Sequence, residues 1–142
     1  MADSVTTAQR SANMARVKGR DTKPEKIVRS LLHALGYRFR LHRKDLPGKP
    51  DIVLPRHHNV IFVHGCFWHG HFGCRRAARP GSNMEFWNTK IDGNMERDRR
   101  AVLSLESLGW SVLTVWECEL RDKEALEKIL ESFLAGSDRG QE

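Results

Sequence analysis

The sequence predicts a single α/β domain in which a mixed β-sheet is flanked by helices, and three observations support this fold class. The 142 residues suit one domain and not two. Apolar residues recur with a helical period in three segments and with a strand-like pattern in four others. These segments alternate in the order helix, three strands, helix, strand, helix, as expected for helices packed on a sheet.

The first helix is predicted from about Thr22 to Leu35. Thr22 and Glu25 have the Thr-x-x-Glu spacing of a capping box, which satisfies free amides at a helix start. Gly36 can end the helix. Five apolar residues recur on one face of this segment: Ile27, Val28, Leu31, Leu32 and Leu35.

Four strands follow from the apolar pattern, at residues 37–41, 51–54, 60–63 and 110–116. A Pro- and Gly-containing turn separates the first two strands, and the third is apolar throughout, as in a fully buried strand. Residues 65–93 are predicted to form a long loop, and loops of this length are usually functional. The second helix is expected at about 94–108, and Asp122 can cap the third.

The chain is therefore divided into an N-terminal arm at 1–20, one domain at 21–135 and a frayed end at 136–142. Lys and Arg outnumber Asp and Glu by 24 to 18, which gives a net charge of +6 and favours a polyanionic partner. No apolar run reaches the length of a membrane span, and we expect a cytoplasmic protein without membrane association. Three cysteines in this setting do not indicate a disulfide framework.

Cys66, His71 and Cys74 have the spacing Cys-x4-His-x2-Cys, and Cys118 lies just beyond the fourth predicted strand. Three thiols and one imidazole complete a tetrahedral zinc site, and such a closed site is structural and not catalytic. The alternative is three buried cysteines and a surface histidine, because cysteine is often a small core residue.

A second set of residues suits phosphodiester hydrolysis: Asp51, Glu25, His64, His69 and Asp98. A hard cation such as magnesium binds carboxylates, a histidine can act as the base, and a carboxylate can orient that histidine. Asp98 lies on an apolar helix face, where a carboxylate requires a partner. The alternatives are a turn aspartate at 51, a cap at Glu25 and a hydrogen-bonded histidine at 64.

Aromatic residues form a third set. Phe67 and Trp68 directly follow Cys66, and Phe86 and Trp87 lie further along the same loop region. Rings that are held rigidly beside arginines can wedge between the bases of DNA. The alternative is that they form a small apolar core under the loop.

Several segments resemble the very-short-patch-repair mismatch endonucleases, a family with the restriction-endonuclease-like core of the PD-(D/E)xK nucleases. The resemblance covers about residues 8–135. It is carried by Pro50-Asp51, by the run His64-Gly65-Cys66-Phe67-Trp68-His69-Gly70-His71, and by segments at 13–14, 20–22, 46–48, 85–87, 94–100 and 115–118. The chain departs from the family pattern at Val63, where threonine is usual, and at Phe72-Gly73, which widens the His-Cys spacing.

The resemblance implies nicking of one DNA strand next to a T:G mismatch, which arises when 5-methylcytosine deaminates. Magnesium would bind Asp51 and the backbone carbonyl of Val63, His69 would be the general base with Asp98 as its partner, and Glu25 and His64 would support the metal waters. The family's structural zinc ligands correspond to Cys66, His71, Cys74 and Cys118. Its DNA contacts correspond to Met14, Phe67, Trp68 and Trp87.

The resemblance implies that the partner is double-stranded DNA that contains a mismatch. It also implies that the protein is a monomer and acts at the nucleoid. Two other classes of function remain open at this stage. One is a non-catalytic, zinc-stabilised binder of mismatched or damaged DNA. The other is a zinc hydrolase of a small substrate, which would require an open position on the zinc ion.

Overall fold

The computed structural model describes residues 22–140. The predicted arm at 1–20, including Met14, lies outside the described residues. Within 22–140, each helix is too short or too polar to traverse a lipid bilayer.

The described part of the chain contains one four-stranded sheet in the order β1-β2-β3-β4. The strands are β1 (Arg40–Leu41), β2 (Ile52–Leu54), β3 (Asn59–His64) and β4 (Ser111–Trp116). The pairs β1–β2 and β2–β3 are antiparallel, whereas β3–β4 is parallel. The predicted mixed sheet is therefore confirmed.

Among residues 22–140, three α-helices accompany the sheet: α1 (Lys23–Ala34), α2 (Met84–Ser107) and α3 (Lys123–Gly140). Short 3-10 turns lie at Pro55–His57, Arg75–Ala77 and Glu117–Arg121. Thr22 caps α1 by accepting a hydrogen bond from the Glu25 amide, and Asp122 caps α3 by accepting one from the Ala125 amide.

Three boundaries differ from the sequence-based predictions. Helix α2 begins at Met84, ten residues before the predicted start at 94, because Trp87 and Ile91 are one turn apart and both buried. Only the last two residues of the strand predicted at 37–41 pair with β2. Helix α3 extends to Gly140, beyond residue 136, where the frayed end was expected.

The two faces of the sheet bury two different cores. Because side chains alternate along a strand, Ile52 and Leu54 point to one face and Val53 to the other. The first face packs on α1 and α3 through residues such as Leu32 and Leu130, and the second packs on α2 through Leu105. The sheet is thus enclosed between helices.

This topology brings distant segments to one edge of the sheet. Asp51 directly precedes β2, and the antiparallel register places it beside the end of β3, where Ile52 is opposite Ile61. β3 ends at His64, which is paired in parallel with Trp116 at the end of β4. The loop that follows β3 and the turn that follows β4 therefore begin at the same edge.

Candidate active site and cysteine cluster

Asp51 is held at the start of β2 by its neighbour strand. The Val63 amide donates a hydrogen bond of 2.7 Å to Asp51 Oδ2. Burial raises the pKa of this carboxyl to about 6, and the nearby Glu25 also raises it, while the Val63 amide and two histidines act in the opposite direction. A carboxylate in this position is short of positive charge, so it favours a bound cation.

His69 and Asp98 come together from the loop after β3 and from α2. His69 Nδ1 lies 2.6 Å from Asp98 Oδ2, which is the distance of a charge-assisted hydrogen bond. Since a carboxylate only accepts, Nδ1 carries the proton and Nε2 presents its lone pair on the opposite side of the ring. This is the arrangement in which a carboxylate orients a histidine base.

His64 stacks face to face on His69, with ring centroids 3.7 Å apart and an interplanar angle of 3°. Burial, together with the positive charge that His69 can carry, lowers the pKa of His64 to about 4, although Asp98 acts in the opposite direction, so His64 is neutral at pH 7. Its Nδ1 is buried and 4.0 Å from Asp98 Oδ2, and it has no hydrogen-bond partner among residues 22–140. A buried polar nitrogen of this kind suits a water molecule or a ligand.

Glu25 has contacts that the capping box did not predict. Its amide bonds to Thr22, but its carboxylate turns towards Arg29 and His42. Arg29 Nη2 lies 3.0 Å from Glu25 Oε2, and His42 Nε2 lies 3.4 Å from the same oxygen. The Glu-x3-Arg spacing, which places two side chains one helical turn apart, indicates the contact with Arg29. Nothing in the sequence indicates the contact with His42.

One cleft of about 820 Å³ contains the whole predicted hydrolytic set. Asn94 and Arg97 on α2 and Lys49 in the turn before β2 add amide and cationic groups to the same walls. The six residues predicted for catalysis and magnesium binding all line it: Glu25, Asp51, Val63, His64, His69 and Asp98.

The donor atoms in this cleft fit a divalent cation. Inside the cleft, the ligand atoms of His64, His69 and Asp98 lie within 4.8 Å of one another, and those of Glu25 and Asp51 lie within the same distance of each other and of His42, which is just outside the lining. Carboxylate oxygens are the ligands that hard cations such as magnesium prefer, and magnesium usually takes only one or two carboxylates from a protein. Asp51 supplies one such ligand at the floor of the cleft.

The four predicted zinc ligands form a separate cluster. The ligand atoms of Cys66, His71, Cys74 and Cys118 lie within 4.8 Å of one another, and Cys118 Sγ is 3.5 Å from His71 Nδ1. Ligands of a tetrahedral zinc ion lie roughly 3.3–3.8 Å apart, so a small contraction would suffice. Burial raises the pKa of the Cys66 thiol to about 12, and the thiol therefore keeps its proton at pH 7 unless a metal displaces it.

Trp116, the last residue of β4, contacts this cluster. Its ring stacks on His71 with centroids 4.0 Å apart and an interplanar angle of 9°. The register pairs Trp116 with His64, so one tryptophan contacts a histidine of each site, at 5.4 Å for His64. The orientation of the loop at 65–74 is therefore tied to the strand ends.

The aromatic residues of the loop form a small cluster beside the cleft. Trp87 lies beneath Phe67 and Trp68, with centroids at 5.3 and 5.8 Å. Trp87 is only 8% exposed, whereas Phe67 and Trp68 are half-buried. In the DNA-free chain Trp87 is thus covered by the loop, and its predicted entry into the DNA stack stays a prediction. The Asn94 side-chain amide holds the loop in place by donating a hydrogen bond of 2.8 Å to the Trp68 carbonyl.

Comparison with known proteins connects this geometry to a family. The family model described as DNA mismatch endonuclease Vsr matches residues 2–76. The chain is 53% identical over 134 residues to the type II nicking enzyme V.XorIIP of Xanthomonas oryzae pv. oryzae, which covers 94% of this chain and 98% of the relative. The chain belongs to the Vsr family. The resemblance predicted from its motifs is confirmed.

Other relatives agree with this assignment. The DNA mismatch endonuclease Vsr of Escherichia coli K12 is 47% identical over 141 residues, which covers 96% of this chain and 90% of the relative. The catalytic domain of the homing endonuclease I-Bth0305I superimposes with a TM-score of 0.59 at 21% identity, over 82% of this chain and 98% of that domain. The predicted nuclease-like fold is confirmed, and Vsr endonucleases are DNA-cleaving hydrolases of DNA repair.

Proposed function

We propose that this Vsr-family chain nicks one strand of double-stranded DNA next to a T:G mismatch, by magnesium-dependent hydrolysis of a single phosphodiester bond. One observation carries the proposal: the hydrogen-bonded pair of His69 and Asp98 faces the same cleft as the half-buried carboxylate of Asp51. A base, its orienting carboxylate and a cation ligand are the parts that this reaction requires.

In this proposal Asp51 and the backbone carbonyl of Val63 hold the magnesium ion. When it is bound, the ion neutralises the scissile phosphate and stabilises charge on the leaving oxygen. Asp51 suits this role because its carboxylate is oriented by the Val63 amide. The Val63 side chain plays no part, since only the backbone is used.

His69 is proposed as the general base. Its Nε2 accepts a proton from a water molecule as the water oxygen bonds to phosphorus and the bond from phosphorus to the leaving oxygen breaks. Asp98 stabilises the imidazolium cation that results, because it already accepts a hydrogen bond from Nδ1. The water attacks directly, so no covalent intermediate with the protein forms.

His64 and Glu25 are proposed to orient the water molecules around the cation. His64 is neutral and buried, so it can offer hydrogen bonds without adding charge next to His69. Glu25 lines the cleft beside Asp51 and offers an acceptor. Neither group is required to bind the metal directly.

Zinc is proposed as the metal of the cysteine cluster, with a structural role. Four protein ligands leave no open position, which disfavours a zinc hydrolase of small substrates. The cluster fixes the residue before Phe67, so we propose that Phe67 and Trp68 contact the base stack while Trp87 supports them from below. Met14 is proposed as a DNA contact by family resemblance alone. The protein would act as a monomer, at the nucleoid in the cytoplasm.

The deciding experiment incubates the protein with duplexes that carry each mismatch in turn, with and without magnesium, and maps every nick. We expect one nick beside T:G, only with magnesium. Asp51→Ala should retain DNA binding and lose nicking, whereas Asp45→Asn should retain both, because Asp45 is an exposed carboxylate paired with Arg43 outside the cleft. If the wild-type protein binds mismatched DNA and cuts none of the duplexes, it is a non-catalytic binder and the proposal is wrong.

A further inference from the structure

Arg29 and His42 form a small, partly buried network with Glu25. Arg29 Nη2 lies 3.0 Å from Glu25 Oε2 and 3.1 Å from His42 Nε2. A guanidinium group can only donate hydrogen bonds, so the carboxylate oxygen and the imidazole nitrogen both accept from it. Arg29 is thus held between the Glu25 carboxylate and the His42 ring.

This network lies behind the cleft. Glu25 is among the described residues that line the cleft, whereas Arg29 and His42 are not. The side chains of Arg29 and His42 are 15% and 17% exposed, and that of Glu25 is 3% exposed. Water therefore screens the attraction between Arg29 and Glu25 only weakly, which distinguishes this pair from an ordinary surface ion pair.

The position of His42 is set by the sheet. It follows β1, and its amide donates a hydrogen bond of 3.3 Å to the Asp51 carbonyl. Its φ of 50° lies in the left-handed region, which non-glycine residues seldom adopt. The pairing of β1 with β2 thus brings the His42 ring to Glu25 at the point where Asp51 enters the cleft.

The charge of the cleft depends on Arg29. Glu25 and Asp51 together would offer two negative charges to a divalent cation, and the affinity of such sites increases with the number of charged ligands. Arg29 cancels one of these charges and occupies Glu25 Oε2. A carboxylate that is already paired with a guanidinium is a weaker metal ligand, but its two oxygens offer more lone pairs than one guanidinium uses, so it still accepts hydrogen bonds.

We propose that Arg29, held by His42, is a built-in cation that keeps Glu25 as a hydrogen-bond acceptor for water and prevents it from becoming a direct metal ligand. Arg29 and His42 are thus positioning residues that act through Glu25. The inference rests on the proposed function, in which Asp51 binds the catalytic cation. The inference predicts that loss of Arg29 changes the two measured quantities in opposite directions: the affinity for the cation increases and the rate of nicking decreases.

The test measures cation binding apart from activity. Manganese, which gives an electron paramagnetic resonance signal when free, is titrated into the DNA-free, zinc-loaded protein, and nicking is measured separately in single turnovers at saturating magnesium. For Arg29→Gln we expect a manganese Kd roughly three- to tenfold lower than in the wild type, because one repelling charge is removed. We expect nicking roughly 10- to 100-fold slower, the usual loss when a residue supporting a metal site is removed.

Matched variants separate positioning from folding. Lys26→Gln removes a positive charge from an exposed residue of α1 that faces a different hollow beside Lys123, and it should change neither quantity. Arg29→Lys keeps the charge and should bind manganese within about twofold of the wild type. His42→Leu should resemble Arg29→Gln, whereas His42→Gln keeps an acceptor for Arg29 and should lie closer to the wild type. If Arg29→Gln does not fold, the two His42 variants decide the question.

Manganese affinity that is unchanged or weaker in Arg29→Gln, or equally tightened in Lys26→Gln, would overturn the inference. A merely structural contact would weaken binding and rate together. Failure of the proposed function would look different: the wild type would not nick mismatched DNA with magnesium, while the manganese titration would still report on Arg29. Manganese binding that survives Asp51→Asn unchanged would refute both.

Discussion

The cysteine cluster and the catalytic cleft lie at the same edge of the sheet, but they are built in opposite ways. Three of the four cluster ligands come from residues 66–74, and all four converge within 4.8 Å on one point. The cleft takes its residues from α1, the turn before β2, β3, the loop after β3, α2 and the turn after β4, and it encloses about 820 Å³. The cluster is a closed site that can hold an ion permanently, whereas the cleft leaves room for a cation, water and a phosphate to exchange.

The largest expected effect distinguishes the two sites by removing their metals. Chelation of zinc, or Cys118→Ser, should destabilise the domain by roughly 5 kcal/mol or more, since structural zinc contributes roughly 10–16 kcal/mol in small zinc-dependent peptides. Withdrawal of magnesium should stop nicking and leave the fold intact. Thermal unfolding followed by circular dichroism, with metal analysis of each sample, checks both. A zinc-free protein with an unchanged melting temperature would contradict the structural role.

The next largest effect concerns the cleft alone. His69→Ala should slow nicking at saturating magnesium by roughly 10²–10⁴, the usual contribution of a general base. The melting temperature should change little, because His69 is partly exposed and its main partner Asp98 also faces the cleft. His33→Ala, in the last turn of α1, is the matched control and should nick at the wild-type rate. Wild-type nicking by His69→Ala would exclude the proposed base.

The closed cluster was easier to predict from sequence than the open cleft, for a physical reason. Cluster ligands that are close in sequence must also be close in space, so Cys66, His71 and Cys74 could be grouped from spacing. Most groups in the cleft were found as residue types that suit the chemistry. His42 was missed because it reaches Glu25 through pairing of β1 with β2, and β1 is only two residues long.

Local signals succeeded where the chain's own backbone decides the outcome. The caps at Thr22 and Asp122 form as predicted, because each side chain satisfies an amide three residues later. The Glu25 carboxylate also pairs with Arg29, a contact that the capping box does not predict. The early start of α2 was missed because Trp87 and Ile91 were read as part of a loop, although their spacing of four matches a helix.

The ionised Asp51 carboxylate should lower the free energy of unfolding when no cation is bound. Its pKa of about 6, above its usual value near 3.8, means that the folded protein holds this proton more tightly than the unfolded chain does. Without magnesium, the free energy of unfolding should therefore fall as the pH rises from about 4 to about 6 and stay low above that.

Asp51→Asn cannot ionise, so it should be more stable than the wild type by about 2–3 kcal/mol at pH 7 and similar to it at pH 4. Urea unfolding at both pH values, without added magnesium, measures the difference. Magnesium should stabilise only the wild type. An equal difference at pH 4 and pH 7 would show that the charge of Asp51 is not its cause.

The smallest effect concerns the surface that connects the two sites. Phe67 and Trp68 follow a cluster ligand and stand over Trp87, so the closed site fixes the rings that the proposal brings to DNA. In an Asp51→Asn background, which prevents nicking, Trp68→Ala should weaken binding to a T:G duplex by roughly 1–3 kcal/mol, the usual worth of stacking on one base. Phe86→Ala removes a ring that is 55% exposed and packs edge-on against Trp87, and it should bind as tightly as its parent. Fluorescence anisotropy measures the affinity of both variants for mismatched and for fully paired duplexes.

If Trp68 wedges into the mismatch, its loss should lower affinity for the mismatched duplex and leave affinity for the paired duplex nearly unchanged. An equal loss on both duplexes would mean that the ring contacts DNA without reading the mismatch, and the connection between the closed cluster and mismatch recognition would then fail.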